Sequence, residues 1–391
     1  MSDTIIIAGA KRTAIGSFQG QFNDVPVTDL AAAAVQGAIE EAGIDVSLID
    51  DVILGCVLPA GAGQAPARIA ARAAGIPDSA GALTINKACS SGLKAIHLAH
   101  DQILAGSIDI AVAGGMESMS RAPYLLAKAR GGYRMGHGEV LDHMFFDGLQ
   151  DPDEAFLMGV YGQRCADKFE FTREQQDAYV IETIERAQRA MDSQFADEIV
   201  PVTVRSRRGE TVVDRDEEPP RCDIEKVPAL RAAFAKDGTV TAASSSKISD
   251  GAAATVVMTA AKAAELGVTP LATIVAHATH SHEPAWFTTA PIGAIAKVLD
   301  KAGWNKDDVD LFEINEAFAA VSMAAIHEHG LDRDKVNVNG GACALGHPIG
   351  ASGARLVVTL INALRQRGLK RGVAALCNGG GEATALAIEL A

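Results

Sequence analysis

Aromatic residues are scarce: Phe, Trp and Tyr together make up 5% of the 391 residues. A core with so few rings must be filled by aliphatic and small side chains. The 38 glycines, with alanine dominating many stretches, suit helices packed closely on a sheet. Long apolar runs are missing too. No window approaches the roughly 18 uninterrupted apolar residues of a membrane span, so none is expected. Positive charge is in short supply, with 35 Lys and Arg against 49 Asp and Glu, leaving a net charge of −14. That balance repels nucleic acid and anionic membrane over most of the surface, and an anionic ligand would need a local basic patch. The cysteines (Cys56, Cys89, Cys165, Cys222, Cys343 and Cys377) contain no C-x-x-C pair. They read as reduced thiols in a reducing compartment. The opening MSDTIIIAGAKRT enters a strand at once, so no signal peptide is expected and a cytoplasmic location is. Gly61-Ala-Gly-Gln64 lacks the spacing of a phosphate loop or a dinucleotide fingerprint, which gives no support for ATP or NAD.

What is present is globular. A 48% hydrophobic, 21% charged chain of this length divides into two or three domains and is not disordered. Short β-branched runs alternate with Ala-rich helical stretches at both ends, implying parallel sheet with crossover helices. Strands are expected at 4–8, Asp51–Gly55, 83–86 and 108–114, with helices at Val27–Ala42, closed by Gly43, and at 90–105. Residues 119–248 are richer in charge, Pro and Gly and read as an insertion carried by the first α/β unit. Its helix near 173–194 should turn Tyr179, Ile181 and Ile184 inward, while 205–208, 214–218 and Pro219-Pro220 read as solvated excursions. The strand pattern resumes at 253–259. From Leu271 the plan repeats: 108–117 and 372–382 both run strand, glycines, Glu, and 83–92 and 336–346 both run strand, Asn, small residues, helix. The expected domains are therefore 1–118, an insert at 119–248, completion of the first half at 249–270, and a second half at 271–391. A duplicated half usually faces its twin, so the ends of equivalent strands should meet in one cleft.

Four places at strand ends carry candidate chemistry. Cys89, in Ile85-Asn-Lys-Ala-Cys-Ser-Ser-Gly-Leu-Lys94, sits where a strand gives way to a helix, whose N-terminus favours a thiolate. Small neighbours would admit a thioester. An inert packed cysteine is the other reading. His347, in Gly346-His-Pro-Ile-Gly350, precedes a helix at 351–364 and is held by Pro and Gly, as a base or as part of an ordinary turn. Cys377 ends a buried strand and precedes Asn378-Gly-Gly-Gly381, where backbone N–H groups can face an oxyanion or the glycines can simply make a wide turn. Asn315, in Glu313-Ile-Asn-Glu-Ala-Phe318, is a side-chain donor or a helix cap. His277, His280 and His282 form a small histidine cluster, but their spacing fits no familiar metal site.

Together these motifs resemble the thiolase family. Cys-Ser-Ser-Gly-Leu-Lys, Gly-Gly-Met-Glu-Ser-Met-Ser-Arg-Ala-Pro-Tyr (114–124), Asn-Glu-Ala-Phe-Ala, Gly-His-Pro-Ile-Gly-Ala-Ser-Gly-Ala-Arg (346–355) and Cys-x-Gly-Gly-Gly occur in that family's order and spacing. The resemblance covers essentially the whole chain, starting at Lys11-Arg-Thr-Ala-Ile-Gly16. It implies an α/β fold of five layers, α-β-α-β-α, from two duplicated halves with an inserted loop domain. It also implies roles: Cys89 as the acylated nucleophile, His347 as its base, and Cys377 as the acid/base at carbon. Asn315, through a water, and His347 would form one oxyanion hole, and the N–H groups of Cys89 and Gly379 the other. Two thiols make chemical sense, because one must attack and leave while the other moves a proton to or from carbon.

The short-chain, acetoacetyl-CoA type is the nearest resemblance. It implies substrate contacts at Leu149, Met158, Arg221, Ser246 and Phe318, and Lys247 is a basic candidate particular to this chain. Val160-Tyr161-Gly162-Gln163, Ala243-Ser-Ser-Ser-Lys247 and Phe287 depart from the family pattern along the acyl and pantetheine path. The expectation is a ping-pong acetyl-CoA C-acetyltransferase acting on acetyl-CoA, acetoacetyl-CoA and CoA. No metal and no cofactor beyond its CoA thioesters is expected. A homotetramer is implied, with 121–138 as the oligomer loop. The alternatives are a longer-chain 3-ketoacyl-CoA thiolase and a condensing enzyme using carrier proteins, which would leave Cys377 unexplained. A non-catalytic acyl-CoA-binding protein should have lost Cys89, His347 or Cys377.

Overall fold

The computed structural model describes residues 4–207 and 209–391. The first half runs β1 (Ile5–Thr13), α1 (Val27–Ala42), β2 (Asp51–Gly55), α2 (Pro66–Ala73), β3 (Gly81–Ile85), α3 (Ser91–Leu104) and β4 (Ile110–Ser118). An insert follows, whose long helices are α4 (Met158–Lys168) and α5 (Arg173–Met191). The chain then returns with β5 (Ser249–Thr259). The second half contains β6 (Ala272–Ser281), α6 (Ala290–Ala302), β7 (Leu311–Ile314), α7 (Ala319–His329), α8 (Ser352–Arg367), β8 (Arg371–Asn378) and β9 (Glu382–Leu390).

The duplication is visible in the pairing. In the first half β3, β2 and β4 are parallel neighbours, and β5 and β1 follow antiparallel. In the second, β7 is parallel to β8, then β9 and β6 follow antiparallel, and a Phe312–Val336 bridge stands where β3 stands in the first half. The halves join edge to edge through Ile6 opposite Thr273 and Ile7 opposite Ala272.

Alternation on the strands sorts the core into layers. Ile6, Ala8, Val52, Leu54 and Val112 pack outward under α1 and α2. Ile5, Ile7, Ile53 and Ala113 face inward and meet Ala374, Leu376 and Leu386 of the second half across α3 and α8. The other face of the second half packs Val373, Ala375 and Ala385 beneath α6 and α7. The result is helix, sheet, helix, sheet, helix, the five-layer arrangement the resemblance implies.

Local rules account for most boundaries. Val27–Ala42 ends on Gly43 in the left-handed region, φ 67°, which only glycine adopts without strain. α5 starts with a capping box in which Thr172 and Gln175 exchange side-chain and backbone bonds. Its buried face is Tyr179, Val180 and Ile184, whereas Ile181 is only half-buried, so Val180 rather than Ile181 completes the inward stripe. The reading of 214–218 as a solvated excursion is wrong at its centre. Asp216 is buried, and its two carboxylate oxygens take Arg12 Nη1 and Nη2 at 2.7 and 2.9 Å. Arg12 Nε reaches Glu198 at 2.6 Å, and Asp216 also accepts from the Ile15 N–H. A charge-rich stretch is thus drawn inside by a buried arginine on β1.

Candidate active site

Cys89 stands on a tight turn between β3 and α3. The preceding Ala88 has φ +45°, a conformation that costs a non-glycine residue of order 1 kcal/mol or more. The turn is fixed by its own polar side chains. Asn86 Oδ1 accepts from the Ala88 N–H at 2.9 Å, and Ser91 Oγ accepts from the Lys87 N–H at 2.8 Å while donating to the Ala88 carbonyl at 2.7 Å. Across the cleft the β8–β9 hairpin turns through Gly380 and Gly381, at φ 93° and 84°. Ser90 Oγ donates to Asn378 Oδ1 at 2.6 Å, and Lys87 is paired with Glu382. These bonds hold the two strand ends, and with them the two cysteines, against each other. The N–H groups of Gly379 and of Cys89 itself face the Cys89 thiol and favour its thiolate. Burial outweighs them and raises this thiol to about 11, so the helix terminus alone does not ionise it. Cys377 is fully buried, and burial raises its thiol as well, with the Cys89 and Cys165 sulfurs close enough to add to the effect.

His347 arrives from the second half on a loop pressed against the ends of β2, β4 and α3. Close approach here requires glycine. A Cβ on Gly115 would stand 2.0 Å from the Gly350 carbonyl oxygen, and one on Gly55 would meet Ser91 at 2.5 Å. Glu117, buried at the end of β4, clamps the loop by accepting from the N–H groups of Val57, Leu58 and Gly350 at 3.0, 3.1 and 2.9 Å. The His347 N–H is held by the Lys247 carbonyl at 2.9 Å.

The ring's tautomer follows from its neighbours. Ser352 Oγ donates to the Pro348 carbonyl, so at 2.5 Å it accepts from His347 Nδ1–H. That leaves Nε2 unprotonated, accepting a long hydrogen bond from Asn315 Nδ2 at 3.4 Å. Burial, helped by the Arg355 charge, lowers His347 to about 3. The imidazole is therefore neutral and has a bare nitrogen, as a base needs. Asn315 is fully buried and its Oδ1 makes no hydrogen bond within the protein.

His347 lines a cavity of about 250 Å³ together with Leu149, Met158, Ser246, Lys247 and Phe318. Sequence reasoning named each of these. It missed Met119, Phe145, Leu157, Phe234 and Ile349, which share the lining. Met119 and Ile349 sit inside quoted motifs without having been singled out, and the other three carry no motif. The cavity lies between two packing clusters. Cys89 packs against the one holding Met119 and Ile349, with Leu149 and Ile248 on its margin. Cys377 belongs to the one holding Phe318, with Met158 and Phe234 beside it. Lys247 Nζ donates to the Ala242 carbonyl at 2.6 Å. Arg221 is elsewhere, largely exposed, donating to Ser17 Oγ at 2.9 Å and paired with Glu217 at 3.2 Å. Arg205 is exposed and paired with Glu210, Arg207 is exposed as well, and Arg208 lies outside the described residues.

Ser352, Glu117 and Ser90 are the functional supports that sequence reasoning did not single out. Ser352 was inside the quoted Gly-Ala-Ser-Gly run, five residues after His347, and is the first residue of α8. The histidine cluster separates. His280 and His282 pack edge-on at 5.2 Å beside a groove with Lys168 and His327, while His277 turns toward α3.

The comparisons with known proteins agree with this geometry. Residues 5–261 match the family described as thiolase, N-terminal domain, and residues 268–390 match thiolase, C-terminal domain. The chain belongs to the thiolase family, and it is an acyltransferase. The acetyl-CoA acetyltransferase of Thiocystis violacea is 49% identical over 392 residues, all of both chains. The acetyl-CoA acetyltransferase of Pseudomonas aeruginosa is 47% identical over 99% of each. A crystal structure of the Bacillus anthracis acetyl-CoA acetyltransferase superposes with a TM-score of 0.97 at 42% identity, covering 100% of this chain and 99% of that one.

Proposed function

We propose that this thiolase is an acetyl-CoA C-acetyltransferase working by a ping-pong route. Cys89 attacks the thioester carbonyl of acetyl-CoA while His347 Nε2 takes its proton. The tetrahedral oxyanion is met by the N–H groups of Cys89 and Gly379. CoA leaves as its thiol, carrying the proton from His347, and acetyl-Cys89 remains. A second acetyl-CoA then enters, Cys377 passes its thiol proton to His347 Nε2, and the Cys377 thiolate so formed removes a proton from the methyl carbon. The enolate oxygen is met by Asn315, through a water, and by His347. The carbanion attacks acetyl-Cys89 to give acetoacetyl-CoA, the expelled Cys89 thiolate recovers its proton from the His347 imidazolium, and thiolysis is the same path reversed.

The observation carrying this reading is that two cysteines interact with each other, one of them faced by the Gly379 N–H, and pack into the two clusters that wall an apolar cavity lined by a neutral His347. The relatives' names support acetyl as the acyl group. The reaction needs no metal or organic cofactor beyond CoA, and the enzyme works in the cytoplasm. A homotetramer is supported by the apolar side chains that the 121–138 loop leaves exposed, Tyr124, Leu126 and Met135 among them.

Incubation with acetyl-CoA followed by peptide mass mapping should place one acetyl group on Cys89. Label on Cys377 would reverse the roles. Cys377→Ala should still acylate but lose condensation by at least the roughly 10²–10⁴-fold expected of a lost acid–base group. Thiolysis rates with acetoacetyl-CoA against a long-chain 3-ketoacyl-CoA decide chain length, and a preference for the long chain would overturn the acetyl assignment.

A further inference from the structure

We propose that His100, Asp101 and His277 form a binding site for a divalent transition-metal cation of the Zn²⁺ type, which links the two halves away from the reacting thiols. Among the described residues, this is the set whose ligand atoms converge. One ring nitrogen from each histidine and one Asp101 oxygen all lie within 4.8 Å of one another. Asp101 Oδ1 already sits 2.9 Å from His100 Nδ1 and 2.8 Å from His277 Nε2. Ligands about 2.0–2.1 Å from a tetrahedral Zn²⁺ stand about 3.4 Å apart. The two Asp101 distances must therefore open by about half an ångström and the widest separation close by up to about 1.4 Å, within reach of side-chain rotation. Imidazole and carboxylate are both ordinary Zn²⁺ donors, and three protein ligands with an open fourth position suit a partly exposed site.

A second observation points the same way. His97, one turn before His100 and Asp101, is fully buried, and neither of its ring nitrogens has a hydrogen-bond partner. Its ring stacks on His277 at 4.4 Å, and His100 meets His277 edge-on at 4.9 Å. An inner imidazole thus closes the protein side of the cluster, stacked on His277 rather than standing among the ligand atoms. Burial keeps both His97 and His277 uncharged at neutral pH, the form that ligates. The remaining charges facing the cluster are Lys94 and Lys301, and the latter donates to the His277 carbonyl at 3.0 Å. They weaken cation binding without occupying any ligand atom.

The site has a mechanical consequence. His100 and Asp101 come from α3 of the first half and His277 from β6 of the second, so a bound ion would staple the halves. His100 lies nine residues beyond Ser91 on α3, about 14 Å along the axis from the start of the helix that follows Cys89. Catalysis should therefore not depend on the ion.

The test uses untagged full-length protein, Zn²⁺ for calorimetry and thermal melting, and Co²⁺ as a spectroscopic probe. The expected result is one equivalent of Zn²⁺ per chain and a raised Tm. The Co²⁺ complex should show visible d–d bands without intense thiolate charge transfer. His100→Ala and His277→Ala should each weaken Zn²⁺ binding at least about tenfold, since loss of mere outer-shell partners costs 10–100-fold. Both variants should keep the condensation rate of the metal-free enzyme. Absence of Zn²⁺ binding by the wild-type protein, thiolate bands in the Co²⁺ spectrum, or unweakened binding in both variants would overturn the proposal.

Discussion

Burial pushes the two central groups of the cavity toward their neutral forms, Cys89 to about 11 and His347 to about 3. In the ligand-free enzyme the pair rests as thiol and imidazole, and on the proposed route the thiolate forms only as the proton passes to Nε2 during attack. The iodoacetamide reaction of Cys89 should then climb about tenfold per pH unit through neutrality toward pH 11, following the thiolate fraction. A plateau below pH 8 would mean a standing thiolate–imidazolium pair instead. The stability consequence has a definite sign. His347 is depressed from 6.5 to about 3, so its contribution is complete above about 6.5 and is lost as pH falls toward 3. Ser352 is the residue that makes Nε2 the free nitrogen. Ser352→Ala should lower kcat for both half-reactions at least about tenfold, part of the roughly 10²–10⁴-fold that a positioned acid–base group supplies. Ser352→Thr keeps the acceptor and should recover much of the loss. An unchanged kcat in the alanine variant would remove Ser352 from the machinery.

At the scale of elements, sequence pattern and structure agree best where a local signal decides. Val27–Ala42 and Asp51–Gly55 have the expected bounds, because a glycine C-cap and a short β-branched run need no distant partner. Helix α3 begins within a residue of expectation, and the strand–turn–helix passages that carry Cys89 and Asn315 lie at the foreseen places. The strand expected from 336 instead shrinks to one bridge, and His347 follows a short helix at Ala342–Leu345. Lengths were less legible: β1 runs to Thr13 because Arg12 is held by Glu198 and Asp216, partners 186 and 204 positions away. No local window contains that information. The same distance explains the misplaced solvated excursion at 214–218. Removing one member of a buried ion pair leaves the other charge uncompensated, at a cost of about 3–5 kcal/mol. Asp216→Ala should therefore destabilise the fold by that amount and expose the segment near 214–218 to protease. Wild-type resistance to denaturant and to proteolysis would contradict the clamp. The clefts between elements were equally hidden, since Met119, Phe145, Leu157, Phe234 and Ile349 meet only when the insert folds back over both halves.

For the molecule as a whole, the question is how a protein of net charge −14 accepts a polyanionic thioester. The two cations expected to help are placed very differently. Lys247 lines the cavity beside His347, and its ammonium is held by backbone carbonyls alone, at Ala242 and Ser245. Arg221 is on the surface, already paired with Glu217 and close to Glu218, so less of its charge is free for a ligand. An exposed contact to phosphate contributes about 1 kcal/mol or less, and a shielded charged hydrogen bond up to about 3. Lys247→Ala should therefore raise KM for CoA and acetoacetyl-CoA more than Arg221→Ala does. Both should leave kcat nearly unchanged, because a contact to phosphate is shared by ground and transition states. The Lys247 effect should shrink less with added salt than the Arg221 effect, since screening acts mainly on exposed charge. Steady-state kinetics of both variants at low and moderate salt decide the matter. If KM is unchanged in both, electrostatic docking fails, and the apolar walls of the cavity must account for binding without help from either cation.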